Sequence, residues 1–264
     1  MIATMSYLPT SDPRLQRLTG EALDELTKLE VPVAPSAQQP DVLAFEIAGA
    51  DGRALSQGNA ANGRTLTTLV FVVAALDRVQ LTPEQRLQEN ATAALAWFTD
   101  RQGQWGLRDG MCGDPLDPVD LNARVQAART LIGRRPLPAD GPGDQDRIEE
   151  LWRELDRVGV PNVVRLPDAI RFPTPGGTVE ARTIDGAGGS GLVLWIEVGR
   201  SERDDLASLL LSRNGELGEG AFALTPDGMV VVRCWTAALR LTFDRLARLL
   251  APALTSAIEL RPLL

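Results

Sequence analysis

The chain of 264 residues is 44% hydrophobic and 23% charged, a balance that supports a buried core and excludes a disordered polypeptide. Its net charge of −8 is spread over both halves, so direct nucleic-acid binding is not expected. Histidine is absent, which removes Ser-His-Asp and Cys-His catalysis and every histidine-bearing metal site. No apolar run approaches the roughly 18 residues of a membrane-spanning helix. The opening MIATMSYLPTSDPR lacks the basic start and apolar stretch of a secretory signal. Two cysteines, Cys112 and Cys234, make no disulfide framework in a chain of this length, so a cytoplasmic protein with reduced thiols is expected.

In chain order, Leu15, Leu18, Ala22, Leu26 and Leu29 form one apolar helical stripe that stops before Val31-Pro32. Leu43 and Phe45 alternate as in a half-buried strand, a weaker strand covers Arg53–Gln57, and Leu69–Val73 predicts the strongest strand. Thr82-Pro83 with Glu84 starts a predicted helix over Pro83–Phe98. Gly103–Leu107 with Asp109-Gly-Met111 follows, and a closing helix spans Asp120–Ile132. Two prolines in Cys112–Pro118 argue against a further central strand, so the fifth strand of this half is expected to be short or absent.

The Pro- and Gly-rich stretch 134–145 reads as a linker, and beyond it the same landmarks return. Ile148, Leu151, Trp152, Leu155 and Val158 form a stripe that stops before Val160-Pro161. Ile170 and Phe172 mirror Leu43 and Phe45, Val179–Ile184 mirrors Arg53–Gln57, and Leu192–Ile196 mirrors Leu69–Val73. A helix over Glu202–Leu211 follows, then a strand at Gly220–Leu224 matched to Gly103–Leu107. Asp227-Gly228 predicts a hairpin into Met229–Trp235, and Phe243–Leu254 closes the unit. The expectation is an α+β protein of two similar modules, each an antiparallel sheet with helices packed on it in the order α-β-β-β-α-β-β-α. Residues 1–133 make the first module, 134–145 the linker and 146–264 the second.

The helix at Arg203–Arg213, the Gly220–Leu224 strand, the Asp227-Gly228 hairpin, Met229–Trp235 and the Leu241–Leu254 helix together resemble the bacterial YbjN-like family. That family shares the type III secretion chaperone-like fold. The resemblance implies a non-enzymatic protein of chaperone, adaptor or regulatory type, associated with stress responses, whose partner is another protein. Homodimerisation is typical of such chaperones, and a covalent tandem would look like an intramolecular version of that dimer.

Four features carry the residue types of a chemical site. Gly186–Gly191 satisfies G-x-G-x-x-G, but a strand rather than a helix follows it, so a hairpin loop is expected instead of a nucleotide site. Asp109, Asp114, Asp117 and Asp120 lack the EF-hand spacing, and capping of the helix near Val119 explains Asp117 or Asp120. Asn90-Ala-Thr92 fits a glycosylation sequon inside a predicted helix and is discounted. The cysteines read as buried small hydrophobes. No metal and no cofactor is expected, and a carboxylate-based hydrolase is the remaining enzymatic alternative.

One surface is singled out. Alternation places Val193 and Trp195 on one face of their strand, and Val231, Arg233 and Trp235 on one face of theirs. Tryptophan beside arginine on a half-polar face has the composition of an interface core, so these five residues are the expected partner-binding site. The competing reading is that the opposite module covers them. A small-molecule regulatory ligand in the cleft between modules is the functional runner-up.

Overall fold

The computed structural model describes residues 6–7, 9–37, 39, 41–61, 64–74, 81–113, 115–132, 141–142, 144–186, 189–217, 220–237 and 241–264. The first module runs β1 (Ser6–Tyr7), α1 (Pro13–Lys28), β2 (Val33–Pro35), β3 (Val42–Ile47), β4 (Ala50–Ala61) and β5 (Arg64–Ala74). It continues through α2 (Pro83–Asn90), β6 (Ala96–Thr99), β7 (Trp105–Cys112) and α3 (Pro118–Leu131). The second module runs β8 (Gly141–Pro142), α4 (Gln145–Arg157), β9 (Val164–Arg165), β10 (Ala169–Thr174), β11 (Gly177–Gly186) and β12 (Gly189–Gly199). Then come α5 (Leu206–Asn214), β13 (Ala221–Leu224), β14 (Val230–Thr236), α6 (Phe243–Leu260) and a 3-10 turn at Arg261–Leu263.

The duplication extends to strand order. One sheet is ordered β2-β3-β4-β5-β7-β6 with β1 added on β4, and the other is β9-β10-β11-β12-β14-β13 with β8 added on β11. Every pairing is antiparallel. The helical stripes are buried as their spacing requires: Leu15, Leu18, Ala22 and Leu26 in α1, and Ile148, Leu151 and Leu155 in α4. Asp12 caps α1 through the Arg14 N–H at 2.9 Å, and Asp144 caps α4 through the Asp146 N–H at 2.9 Å. In the first sheet Phe45 stacks on Phe71 with centroids 4.8 Å apart. Phe45 lies so close over Gly52 that a Cβ there would come within 1.9 Å of the ring, so only glycine fits.

Three expectations are corrected. The helix over Pro83–Phe98 ends at Asn90, and β6 begins at Ala96. The Asn90 side chain stops it, because its Oδ1 accepts the Trp97 N–H at 2.6 Å and its Nδ2 donates to the Trp97 carbonyl at 3.1 Å. Ala91–Leu95 has good helix propensity, and this buried tertiary contact overrides it. With β6 in place, β7 is the fifth main strand of the first module. It is eight residues long and sits between β5 and β6, so it is neither short nor lost. The two prolines fall after it, Pro118 as the first residue of α3. The partner of β7 in the repeat is therefore β14, whereas Gly103–Leu107 was matched to Gly220–Leu224.

Most of the 134–145 linker lies outside the described residues. Within it, Gly141–Pro142 already pair with Ile184 and Asp185, so the second sheet recruits chain ahead of residue 146. At the other end α6 runs on through Pro252 to Leu260, since the proline lacks only one helical hydrogen bond and Ala253, Ala257 and Leu260 continue the buried face.

Two outcomes test this description. Leu194 is fully buried, and Leu194→Ala should destabilise the protein by about 2–5 kcal/mol in denaturant unfolding. Glu154 of α4 accepts the Phe243 N–H at 2.6 Å, which ties α4 to the start of α6, and also accepts from Arg157 Nε and Nη2 within α4. The Arg157 pairing, followed by the Phe243 bond, lowers the Glu154 pKa from 4.5 to about 2. A depressed carboxylate contributes stability above its unfolded value and loses it as pH falls through the folded one. Melting temperature should thus drop between pH 4.5 and 2, and Glu154→Gln should flatten that part of the profile.

Candidate functional site

The antiparallel register of β12 and β14 opposes Val193 to Trp235 and Trp195 to Arg233, with Val231 opposite Glu197. The five expected residues therefore form one continuous patch. Gly191 makes room for it, because a Cβ there would meet the Trp235 ring and the Thr236 carbonyl at 2.6 Å. The Gly186–Gly191 motif is a hairpin: Gly186 pairs with Gly189 across residues 187–188, which lie outside the described set.

The first module covers the patch. Val193, Val231, Arg233 and Trp235 are each at most 1% exposed, and Trp195 is half-buried. Trp195 Nε1 donates to the Ala91 carbonyl at 2.8 Å, Arg233 Nε donates to the Asn90 carbonyl at 3.0 Å, and Arg124 Nη2 donates to the Trp235 carbonyl at 3.2 Å. What the alternation shows as an interface composition is an interface within the chain.

Contacts across this interface come in reciprocal pairs. Asn90 Nδ2 donates to the Phe222 carbonyl at 3.3 Å, and Asn214 Nδ2 donates to the Trp97 carbonyl at 3.2 Å. Each asparagine also accepts an N–H within its own module, from Trp97 and Phe222 respectively. Arg108 donates to the Gly215 carbonyl as Arg233 does to that of Asn90. Helix α2 packs on β13 and α5 packs on β6, so each module shields the other's sheet edge. The two modules are thus related by an approximate twofold axis, as in an isologous dimer.

Charge breaks that symmetry. The residue after Arg108 is Asp109, whereas the residue after Arg233 is Cys234. Asp109 accepts from Arg124 Nη2 at 2.7 Å and lies 3.4 Å from Arg233 Nη1, with all three side chains buried. Cys234 instead donates to the Leu249 carbonyl of α6 at 3.3 Å. Among the described residues the second module brings Arg108 no such carboxylate, and burial, opposed by Asp109, lowers its pKa to about 10. At the helix starts, Arg245 grips Asp117 and Asp120, each at 2.7 Å. Asp120 also accepts the Thr236 hydroxyl at 3.0 Å and the Ala237 N–H. Burial works against the Arg245 charge, and Asp120 and Asp117 overcome it to raise its pKa.

The acidic run thereby resolves into structural roles. Asp117 caps α3, while Asp109 and Asp120 are buried ion-pair partners, and Asp114 lies outside the described residues. Among the described residues no group of three or more Cys, Asp or Glu is placed to hold a metal ion. Several buried polar atoms of the cluster make no hydrogen bond among the described residues: Asp109 Oδ1, Arg124 Nε, Arg233 Nη1 and Nη2, and Trp235 Nε1. Sequence reading missed Asn214 and Arg124, and took Asn90 only as part of a sequon and Asp109 only as part of an acidic run. The only available signal was the repeat itself, since both asparagines end the middle helix of their module.

Two open clefts lie beside the interface. One, of about 440 Å³, is built by both modules from Phe98–Arg101 of the β6–β7 turn and Ser212, Gly215 and Glu216 after α5. The other, of about 290 Å³, is lined by the apolar Leu217, Phe222, Leu260 and Leu263 together with Arg213, Glu216 and Glu259. Glu216 lines both clefts, so they lie side by side.

Placement of the tryptophans sets their expected mutational behaviour. Trp235→Ala should cost about 3–5 kcal/mol, as for a buried aromatic, and Trp195→Ala should cost less because its ring is half-exposed. Denaturant unfolding of both variants checks this, and a Trp235→Ala protein as stable as the parent would mean that the face is open. No protein-family model, no curated protein and no solved structure matches the chain, so its kinship rests on its own internal repeat.

Proposed function

We propose that the protein is a non-enzymatic, cytoplasmic binding protein of chaperone or adaptor type that holds an extended segment of a partner protein. The observation that carries this reading is the cleft built by both modules from Phe98–Arg101 and Ser212, Gly215 and Glu216, beside a second cleft that apolar and charged side chains line together. An extended chain presents alternate side chains to separated apolar residues, and its polar positions to the charged ones. The resemblance of the second module to YbjN-like proteins supports the same class, with a regulatory or stress-related role. The surface that such modules would use to form a homodimer is occupied inside this chain by the other module. Val193, Val231, Arg233 and Trp235 then serve the protein by fixing the two walls of the inter-module cleft relative to each other.

A small regulatory ligand is the second reading, favoured by the volume of the inter-module cleft, which falls within the range of ligand pockets. The test uses the full chain and a displayed library of peptides with alternating apolar and polar positions. Selected peptides should lose at least about tenfold in affinity on Leu263→Asp or Arg101→Glu, both exposed residues of the clefts, and bind Val164→Asp on the far edge strand normally. Selection of no peptide, with small molecules raising the melting temperature through the same residues, would replace this reading with the second. Cleavage of bound peptides would instead identify an enzyme.

A further inference from the structure

A chain carrying two copies of a self-complementary surface can close on itself or join others. Like modules of different copies could pair, first with first and second with second, and such pairing would link molecules into an open string. We infer that the charges at the module interface restrict pairing to unlike modules, so that a first module accepts only a second one.

The inference rests on what occupies equivalent positions. Helices α3 and α6 begin with N-caps Asp117 and Thr242, and three residues later carry Asp120 and Arg245. In the observed pairing Arg245 meets both carboxylates at 2.7 Å. Pairing two first modules would gather two copies of Asp117 and two of Asp120 with no Arg245 between them. Pairing two second modules would set Arg245 against Arg245 beside two helix N-termini, which are themselves positive. The deeper layer acts against pairs of second modules alone, since in a pair of first modules Arg108 would stand where Arg233 stands beside Asp109. Arg233 is buried against Asp109 of the first module, and in a pair of second modules the equivalent position is Cys234, leaving a buried guanidinium without a carboxylate. The contacts that are symmetric, such as those of Asn90 and Asn214, attract without choosing; the asymmetric charges choose.

The experiment introduces a sequence-specific protease site at residues 136–140 of the full chain, which removes the proximity advantage of the linker once cut. After cutting, dilution and re-equilibration, native mass spectrometry should show only the unlike pair. With Asp117→Asn, Asp120→Asn and Arg245→Gln combined, like pairs should rise at least about tenfold relative to the unlike pair. Like pairs at statistical proportion in the parent, or none in the neutral variant, would overturn the inference. A second measurement on the uncut chain covers fragments that do not re-pair. Asp120→Asn and Arg245→Gln together should shift the unfolding constant at least about fivefold less than the product of the single shifts. Strictly multiplicative effects would show that the pair is not coupled and would refute the charge rule.

Discussion

Arg233 is held without solvent between two modules, and the arrangement of the whole chain follows from what meets it there. Its guanidinium projects from the second sheet toward Asp109 of the first and donates to the carbonyl of Asn90. An arginine in that position is tolerable only when a carboxylate and a backbone acceptor are already in place. Both are supplied by the other module, so the fold of the second sheet's face and its docking are one requirement. Arg124 completes the set by bonding Asp109 on one side and the Trp235 carbonyl on the other.

Such a cluster is an uncertain source of net stability, because desolvation of three charged groups offsets much of their mutual attraction. Its value is directional. Hydrophobic contacts around Ala91, Ala223 and Val231 would accept many relative placements of the two sheets. The asparagine bonds and the Asp109–Arg233 and Asp120–Arg245 pairs accept few. The shape of the cleft between Phe98–Arg101 and Ser212, Gly215 and Glu216 depends on that restriction, since its two walls belong to different modules.

Duplication followed by divergence accounts for the pattern of similarity. Strand order, helix order and the helix-ending asparagines are kept in both halves. What differs is the set facing the pseudo-twofold axis, where Asp109 stands against Cys234 and Asp120 against Arg245. A homodimer must place the same residue on both sides of its axis. A tandem chain is free of that constraint and can put opposite charges at equivalent positions.

The α+β class, the two modules, the first three main strands of each and the Asp227-Gly228 hairpin were all legible in the sequence. Each depends on local periodicity or turn chemistry, and burial along β3 and β10 follows the same spacing. The contiguity of Val193, Trp195, Val231, Arg233 and Trp235 was legible for the same reason, since strand alternation decides which side chains share a face. Only tertiary structure decided what lies over that face, because alternation cannot distinguish a partner protein from another part of the same chain. It also decided where α2 ends. Ala91–Leu95 is a good helical stretch by propensity, and Asn90 breaks it by bonding to Trp97 and to Phe222 of the other module. A bond between residues 132 positions apart leaves no local pattern to read.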